Sequence, residues 1–283
     1  MIARSVSRTI LPALPVTPAL LVVAVAYLLP LLWLVPMSLQ DSDRTWTGLN
    51  NYSRAVQDPL FLTIAGRTFR VAFLTATVCL LLAYPIAWQL SRIPRRWFPY
   101  LAALIAIPLL TSTIVRSEAW VFLLLPDGLV NEVLALIPGA PRVSLLRTEA
   151  GVVLAMIQVL LPIALLPLLA AFYDLDRDLL AAARGLGASH ARTWVHVIVP
   201  LTAPAAATSA ALTFLLALGF WVTPSIVGGH QSTLIAQLIS QQASLLLNVQ
   251  YASTLAVILI GTTAALAGAV WLFAQLTRRI AAA

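Results

Sequence analysis

The sequence has no lysine, a single cysteine and few charged residues of either sign, and each scarcity excludes a class of protein. Charged residues make up 10% of the 283 positions, whereas soluble domains carry about 25%, so a water-soluble globular domain is excluded. A P-loop requires a lysine, so the chain has no nucleotide site of that kind. The lone Cys79 lies inside an apolar run and indicates neither a disulfide framework nor a cysteine metal site.

Sequence signatures of catalysis are missing as well. The three histidines, His190, His196 and His230, are not four residues apart, which argues against a zinc site on one helix face. No serine stands in a nucleophile elbow, and no carboxylate pair falls on one face of an apolar segment. The sequence therefore predicts a protein that is not an enzyme and that binds no metal or cofactor of its own.

Apolar residues dominate what is present. They make up 61% of the chain, the mean hydropathy is +0.95, and they collect in six runs. A transmembrane helix needs about 20 such residues, so we predict an all-α membrane protein with about six transmembrane helices. The predicted spans are Leu14–Leu39, Phe69–Leu90, Tyr100–Leu125, Gly151–Phe172, Ala203–Val222 and Tyr251–Leu276. The third is the least regular, because Arg116 and Glu118 interrupt it near its end.

The arginines orient these spans. They stand singly or in pairs between apolar runs, so the net charge of +7 indicates a lipid bilayer rather than nucleic acid as the partner. They concentrate in alternate connections, namely at Arg4 and Arg8, at Arg92, Arg95 and Arg96, at Arg177, Arg184 and Arg192, and at Arg278 and Arg279. The positive-inside rule places these connections and both termini in the cytoplasm.

The predicted organisation is a cytoplasmic segment at residues 1–13, a single transmembrane domain at 14–277 and a cytoplasmic tail at 278–283. Two loops on the outer side are expected to be ordered excursions, Gln40–Arg67 and Asp127–Thr148. The second contains Pro138-Gly139 and Pro141.

One polar insert, from Asp174 to Pro200, separates two apolar spans; we name it the coupling segment. Asp176 is a plausible N-cap for a helix with Asp178 in its first turn. Gly187 stands where a helix C-cap requires a positive φ, and Ser189 can cap a second short helix. Two helices joined by a glycine corner form a lever that could dock on a cytoplasmic partner. The alternative is an amphipathic turn that rests on lipid headgroups.

The stretch AAARGLGASHARTWVHVIVP, Ala181–Pro200, resembles the EAA loop of binding-protein-dependent ABC importer permeases. The EAA triplet falls on Ala181, Ala182 and Ala183, Gly-Ala on Gly187 and Ala188, the aromatic on Trp194, and the closing proline on Pro200. The resemblance covers most of the chain. The stretches YPIAWQLSR, IPLLTSTIVRSEAW and LDRDLLAAARGLGAS are most similar to the spermidine/putrescine-type branch.

This resemblance implies a type I ABC importer permease fold in a bacterial inner membrane, with two short cytoplasmic coupling helices. It implies docking on an ATPase dimer that binds the ATP and Mg²⁺, a second, different permease chain, and an extracytoplasmic binding protein. The implied docking residues are Asp178, Ala181, Ala182, Ala183, Arg184, Leu186, Gly187, Ala188 and Trp194. Two positions depart from the family pattern: Ala181 replaces the acidic residue of the triplet, and Trp194 replaces the usual phenylalanine.

Ionisable and aromatic residues near the spans are the candidates for the substrate path. Ionised groups inside a membrane are costly and therefore suggest function. A glutamate facing the path would attract an amine. The predicted path residues are Arg116, Glu118, Trp120, Trp221 and Tyr251. The alternatives are that the two ionisable residues lie at the outer interface and that the aromatic residues form an interfacial belt.

The predicted function is that of a permease subunit forming half of an importer path for a small amine, a polyamine first. Opine, amino-acid-like or aminophosphonate solutes are alternatives within the same family. An ion-coupled secondary transporter is the alternative outside it, but such transporters are built from inverted repeats and no internal repeat is visible. A membrane scaffold without transport activity would not require Arg116 and Glu118.

Overall fold

A computed structural model describes residues 17–136 and 143–281. Regular structure in these ranges is helical throughout. The α-helices are α1 Thr17–Ser38, α2 Asn50–Gln57, α3 Pro59–Leu90, α4 Phe98–Ala106, α5 Thr113–Leu124, α6 Leu129–Ala135, α7 Glu149–Asp174, α8 Arg177–Gly185, α9 His190–Thr193, α10 Val199–Leu218, α11 Val222–Val227, α12 Ile235–Ser244 and α13 Val249–Ala281. Short 3₁₀ turns span Arg95–Trp97, Ile107–Leu110 and His230–Ser232, and a π-helical turn spans Trp194–Ile198.

Five helical segments of the described chain are long and apolar enough to cross a membrane, and a bent pair supplies a sixth span. The all-helical architecture with about six spans is therefore confirmed. Pro30, Pro85, Pro162 and Pro167 lie inside continuous helices. The predicted segment 1–13 and the loop prolines Pro138 and Pro141 lie outside the described residues, as do the last two residues of the predicted tail.

The third span is not the single helix Tyr100–Leu125 that the sequence predicted. Residues Arg95–Leu110 and Thr113–Leu124 form two arms that meet at a bend of 80°. The break falls at Thr111 and Ser112, after a 3₁₀ turn that contains Pro108 near its start. Proline removes a backbone donor and disfavours continuation of an α-helix. The charged pair Arg116 and Glu118 is therefore not the cause of the interruption and lies inside the second arm.

Two other spans have different bounds from those predicted. α3 begins at Pro59 rather than Phe69, so the second half of the predicted excursion Gln40–Arg67 is helical. The fifth span runs from His190 to Leu218 instead of Ala203–Val222. It ends at Gly219, and α11 starts three residues later. Proline and glycine positions, rather than hydropathy, determine these ends.

The described chain packs into two compact units. The first contains residues up to Asp58 together with Ile239–Ile260, and the second contains Pro59–Leu238 and the segment from Gly261. The single domain predicted for residues 14–277 stays a prediction.

In the first unit, the end of α1 is held by polar side chains. The carbonyl of Ser38 accepts hydrogen bonds from Asn51 Nδ2 at 3.2 Å and from Thr254 Oγ1 at 3.0 Å. Asn51 Nδ2 also donates to the carbonyl of Gln40 at 2.7 Å. The last carbonyls of a helix have no partner within the helix, so these side chains satisfy one of them and fix the following loop.

The centre of the second unit is formed by α3, α7 and α10. α3 contributes a row of fully buried small residues, Ala72, Ala76, Cys79, Ala83 and Ala87. Small side chains let helix backbones approach closely in a membrane. Hydroxyl groups add bonds between the helices: Ser209 donates to the carbonyl of Ala164 at 2.6 Å, and the hydroxyls of Tyr84 and Thr202 are 2.6 Å apart.

Contacts at the two ends of this helix group agree with the alternation of loops that the arginines predicted. At one end, Arg95 pairs with Asp174 at 2.8 Å, and Arg177 donates to the carbonyl of Ser91 at 2.6 Å. Two connections assigned to the cytoplasm therefore meet. At the other end, Glu149 pairs with Arg67 at 3.0 Å and also with Arg70.

Candidate functional site: a helical corner and two broken helices

The coupling segment begins with α8, and its sequence explains why the helix starts there. The carboxylate of Asp176 accepts a hydrogen bond from the backbone N–H of Asp178 at 2.8 Å. Acidic groups at this end satisfy free N–H groups and interact favourably with the helix dipole. The predicted N-cap at Asp176 and the predicted first-turn position of Asp178 are confirmed.

The corner after α8 has the geometry expected of a glycine C-cap. Gly187 has φ +81°. Its N–H donates to the carbonyl of Arg184 at 3.0 Å, and the N–H of Ala188 donates to that of Ala183 at 3.1 Å. These two bonds define a Schellman motif. The predicted positive φ at Gly187 is confirmed, and the corner is held by its own hydrogen bonds.

The chain resumes as a helix at Ser189. Its hydroxyl accepts a bond from the N–H of Arg192 at 3.3 Å, as the predicted cap requires. The second helix of the corner is not separate from the membrane span, however. α9 continues through the π-helical turn Trp194–Ile198 into α10, so one side of the corner is the inner end of the span itself. Pro200 therefore lies inside this continuous run, two residues after the π-helical turn, where its missing N–H removes one backbone bond of the helix.

One face of α8 is exposed to solvent, and the other face is buried against the protein. Leu180 is buried, whereas Ala181, Ala182 and Arg184 are exposed and Ala183 is half-buried. Leu186, at the tip, has 90% of its surface exposed, while Gly187 is exposed and Ala188 half-buried. A leucine presented in this way beside small residues leaves room for another protein to approach.

Trp194 lies on the inner side of the corner. It is half-buried, and its ring centroid is 5.1 Å from that of Trp88 and 6.1 Å from that of Tyr84. Both neighbours also contact Phe172. Such tilted and edge-to-face pairs contribute beyond simple burial. Among the described residues, Trp194 therefore anchors the coupling segment to its own chain, which is a role that the sequence did not indicate.

A second feature joins the helices that follow the two breaks. α5 packs on α11, and the hydroxyls of Ser117 and Thr223 are 2.9 Å apart between them. Both residues are buried. Broken helices packed together provide polar backbone and side-chain groups within a membrane, where such groups must be satisfied inside the protein.

Four of the five predicted path residues lie on this pair of helices. Arg116, Glu118 and Trp120 belong to α5, and Trp221 is the residue before α11, with 50% of its surface exposed. Trp120 packs against the cluster of Leu124, Ala155 and Val227. The four thus lie on or next to two helices that the Ser117–Thr223 contact joins.

Glu118 and Arg116 differ in their surroundings. Glu118 is on the exposed face of α5, which otherwise carries Ile114, Val115 and Phe122. Arg116 is half-buried. Its Nη2 lies 3.4 Å from Thr113 Oγ1, and its Nε and Nη1 are buried without a hydrogen-bond partner among the described residues.

Tyr251, the fifth predicted path residue, belongs to the first unit. Its ring lies 5.5 Å from the guanidinium carbon of Arg54, and its backbone N–H donates to Asn248 Oδ1 at 3.0 Å. Its local contacts are those of a residue at a helix start with a cation over its ring.

Sequence reasoning missed two groups. Arg67, Arg70 and Glu149 form an ion-pair cluster, and Gly229 allows a close backbone approach, since a Cβ there would lie 2.9 Å from Cβ of Arg147. The contacting partners in each group are far apart in the sequence, so no local pattern could indicate either contact.

Apolar helical spans, an exposed helical corner and a pair of packed broken helices describe a multi-pass membrane protein. The family described as "Binding-protein-dependent transport system inner membrane component" has a sequence model that matches residues 78–281, and the chain belongs to this family. It is therefore a non-catalytic inner-membrane permease of an ABC importer, as the resemblance of the coupling segment predicted. This assignment also decides against an ion-coupled secondary transporter.

Relatives of known name lie in the predicted branch. The chain is 32% identical to the spermidine/putrescine transport system permease protein PotB of Escherichia coli K12 over 195 residues, which cover 69% of this chain and 70% of PotB. It is 30% identical to the putative 2-aminoethylphosphonate transport system permease protein PhnU of Salmonella typhimurium LT2, over 72% of this chain and 74% of PhnU.

Solved structures confirm the fold. A chain in the crystal structure of a bacterial alginate ABC transporter, in complex with an alginate pentasaccharide-bound periplasmic protein, superposes with a TM-score of 0.72 at 16% identity. The match covers 99% of this chain and 98% of that one. A chain of a second alginate importer structure gives a TM-score of 0.68 at 17% identity, with 99% of both chains covered. At these identities the likeness concerns the fold alone.

Proposed function

We propose that this permease forms one half of a path for small amine cations, with polyamines as the first substrate class. The observation that carries the proposal is the position of Glu118 on the exposed face of α5 among Ile114, Val115 and Phe122. A carboxylate on an otherwise apolar face is costly against lipid. The face is therefore better suited to a water-filled path, where the carboxylate attracts a cation. Similarity to PotB supports the same substrate class.

The coupling segment is proposed to insert its tip into a cleft on a separate ATPase subunit. Leu186 supplies an exposed apolar contact, and the Schellman bonds hold the corner. ATP and Mg²⁺ are proposed to bind to that ATPase, which works as a dimer. A second permease chain, different from this one, completes the path, and an extracytoplasmic binding protein delivers the solute. Movement of the ATPase pair then switches the path between its two openings.

The proposed substrate class is tested by uptake of labelled putrescine and spermidine in cells or proteoliposomes that contain the whole transporter. Glu118→Gln should raise the KM for the amines at least several-fold, because the attraction of the carboxylate is lost, while the complex still assembles. Glu132→Gln is the matched control, since Glu132 is exposed in the first turn of α6. Unchanged amine uptake by Glu118→Gln would remove this residue from the path.

A second substrate class is favoured by Arg116. Its buried Nε and Nη1 lack a hydrogen-bond partner among the described residues, and a guanidinium binds phosphonate or carboxylate oxygens strongly. Arg116 would bind the anionic group of a zwitterion such as an aminophosphonate, in line with the similarity to PhnU. A competition assay distinguishes the two substrate classes. Inhibition of amine uptake by 2-aminoethylphosphonate but not by simple phosphonates would favour the zwitterion.

A further inference from the structure

A recess of about 380 Å³ lies beneath the coupling segment, at the end of the spans that the arginine distribution assigns to the cytoplasm. It is bounded by the end of α3, by α8 and by the start of the fifth span. Its lining residues are Trp88, Arg92, Arg177, Leu180, Arg184, His190, Thr193, Trp194 and Ile198. We name it the basic recess. Arg184 and Trp194 of this lining are also among the predicted docking residues, and the proposed substrate path lies on other residues.

The charges of the basic recess are all of one sign. Three guanidinium groups and one imidazole line it, and no carboxylate does so among the described residues. None of the three arginines that line the recess forms a salt bridge with another described residue. The carboxylate of Asp174, just before α8, pairs with Arg95, and neither residue lines the recess. Arg92, Arg177, Arg184 and His190 are all exposed, so an anion that enters the recess can reach each of them.

The arginines are held in place without a carboxylate. The guanidinium carbons of Arg92 and Arg177 lie 5.4 Å and 6.0 Å from the ring centroid of Trp88. Arg177 also donates to the carbonyl of Ser91, and Arg184 Nε donates to that of Leu180 at 3.2 Å. Each guanidinium has five N–H donors. These backbone bonds therefore orient the side chains while leaving donor capacity for a ligand.

We propose that the basic recess binds a phosphate-bearing anion, either the headgroup of an anionic phospholipid or phosphate from the cytoplasm. The guanidinium fork matches phosphate oxygens in geometry and charge. Trp88 and Trp194 form one wall, and tryptophan is typical of the membrane interface. The cytoplasmic leaflet carries anionic lipids that bind to basic pockets between helices. A bound anion would link the end of α3 to both sides of the corner at Gly187.

The test uses the full-length chain, purified with its transporter partners and placed in nanodiscs. Native mass spectrometry measures retained phosphatidylglycerol against phosphatidylcholine, and equilibrium binding measures labelled inorganic phosphate. The variant is Arg92→Gln with Arg177→Gln. Affinity for the anion should fall about tenfold for each guanidinium removed. Arg92→Lys with Arg177→Lys keeps the charges but lacks the guanidinium fork, so its affinity should lie between those of the wild type and of the Gln pair.

The matched control is Arg96→Gln with Arg192→Gln, which removes the same charge from exposed positions outside the recess. It should bind the anion as the wild type does. If the Gln pair does not fold, Arg92→Gln alone is used, because the contact that holds Arg92 is with the face of Trp88.

Two measurements distinguish a lipid headgroup from free phosphate as the source of the anion. Selective retention of phosphatidylglycerol that millimolar phosphate does not displace identifies the lipid, and displacement identifies the free ion; both support the proposal. Equal losses in the control pair would overturn it, as would a wild type that binds neither probe. It would also be overturned if the Gln pair binds both probes normally but loses the ATPase subunit, because the counter-ion would then be an acidic side chain of that protein.

Discussion

The hydroxyl groups of Ser117 and Thr223 lie 2.9 Å apart and are both buried. They join α5 and α11, the two helices that follow the breaks in the third and fifth spans. Ser117 also donates to the carbonyl of Thr113 at 2.8 Å, so its oxygen is left to accept a bond from Thr223. One short contact thus positions the helix that carries Arg116 and Glu118.

This contact can be measured with a double-mutant cycle. Ser117→Ala and Thr223→Val should each lower stability, and the pair should cost less than the sum because they share one bond. We expect a coupling energy of about 0.6 kcal/mol, the average for hydrogen bonds between membrane helices. Thermal unfolding in detergent supplies the stabilities. Ser225→Ala, whose hydroxyl is exposed and bound to its own helix, should show no coupling to Ser117→Ala, whereas strictly additive effects of the first pair would contradict the contact.

The corner predicts different outcomes for two neighbouring glycines. Gly187→Ala should destabilise the corner by about 1 kcal/mol, because an L-residue is strained at positive φ. Gly185→Ala should be neutral or slightly stabilising, because alanine is the better helix former and an added Cβ there contacts nothing within 4 Å. The readout is co-purification with the ATPase subunit and stimulation of its activity by the loaded binding protein. Equal behaviour of the two variants would mean that the geometry of the corner does not matter.

The exposed leucine at the tip predicts a loss of association without a loss of stability. Leu186→Ser removes an apolar side chain that is 90% exposed, so thermal unfolding of the isolated chain should not change. Its association with the ATPase should weaken at least tenfold if the side chain is buried there. Leu136→Ser is the control, since Leu136 is 81% exposed on a loop assigned to the opposite side. Association that survives Leu186→Ser would place the docking contact elsewhere.

The Glu149 cluster predicts a loss of stability. Glu149→Ala leaves Arg67 Nε, in a side chain that is 16% exposed, without its carboxylate acceptor. An unsatisfied buried donor costs about 1–3 kcal/mol, so the midpoint of thermal unfolding should fall clearly. Asp174→Asn breaks the pair with Arg95, in which both side chains are largely exposed, and should change stability by no more than about 0.5 kcal/mol. A larger effect at Asp174 than at Glu149 would contradict this ranking.

Local signals predicted the coupling segment well because its geometry depends on neighbours in sequence. Asp176 and Ser189 cap helices within three residues, and Gly187 adopts the positive φ that a C-cap requires. The number of spans followed equally well, because hydrophobic length alone decides whether a helix can cross a bilayer.

The bounds of the third and fifth spans were predicted less well. Hydropathy does not distinguish one straight helix from two arms of equal apolarity, and the bend of 80° after Pro108 leaves the average unchanged. Hydropathy likewise does not mark Gly219 as the position where α10 ends.

The sequence by itself determined the class of protein, the number and alternation of its spans and the cap residues of the corner. Each of these depends on composition or on residues a few positions apart. The tertiary structure decided that Ser117 meets Thr223, that Glu149 binds Arg67, and that Arg92 and Arg177 share the ring of Trp88. These partners are separated by up to 106 positions, and only the packing of whole helices, which buries small residues and satisfies polar groups inside the membrane, brings them together.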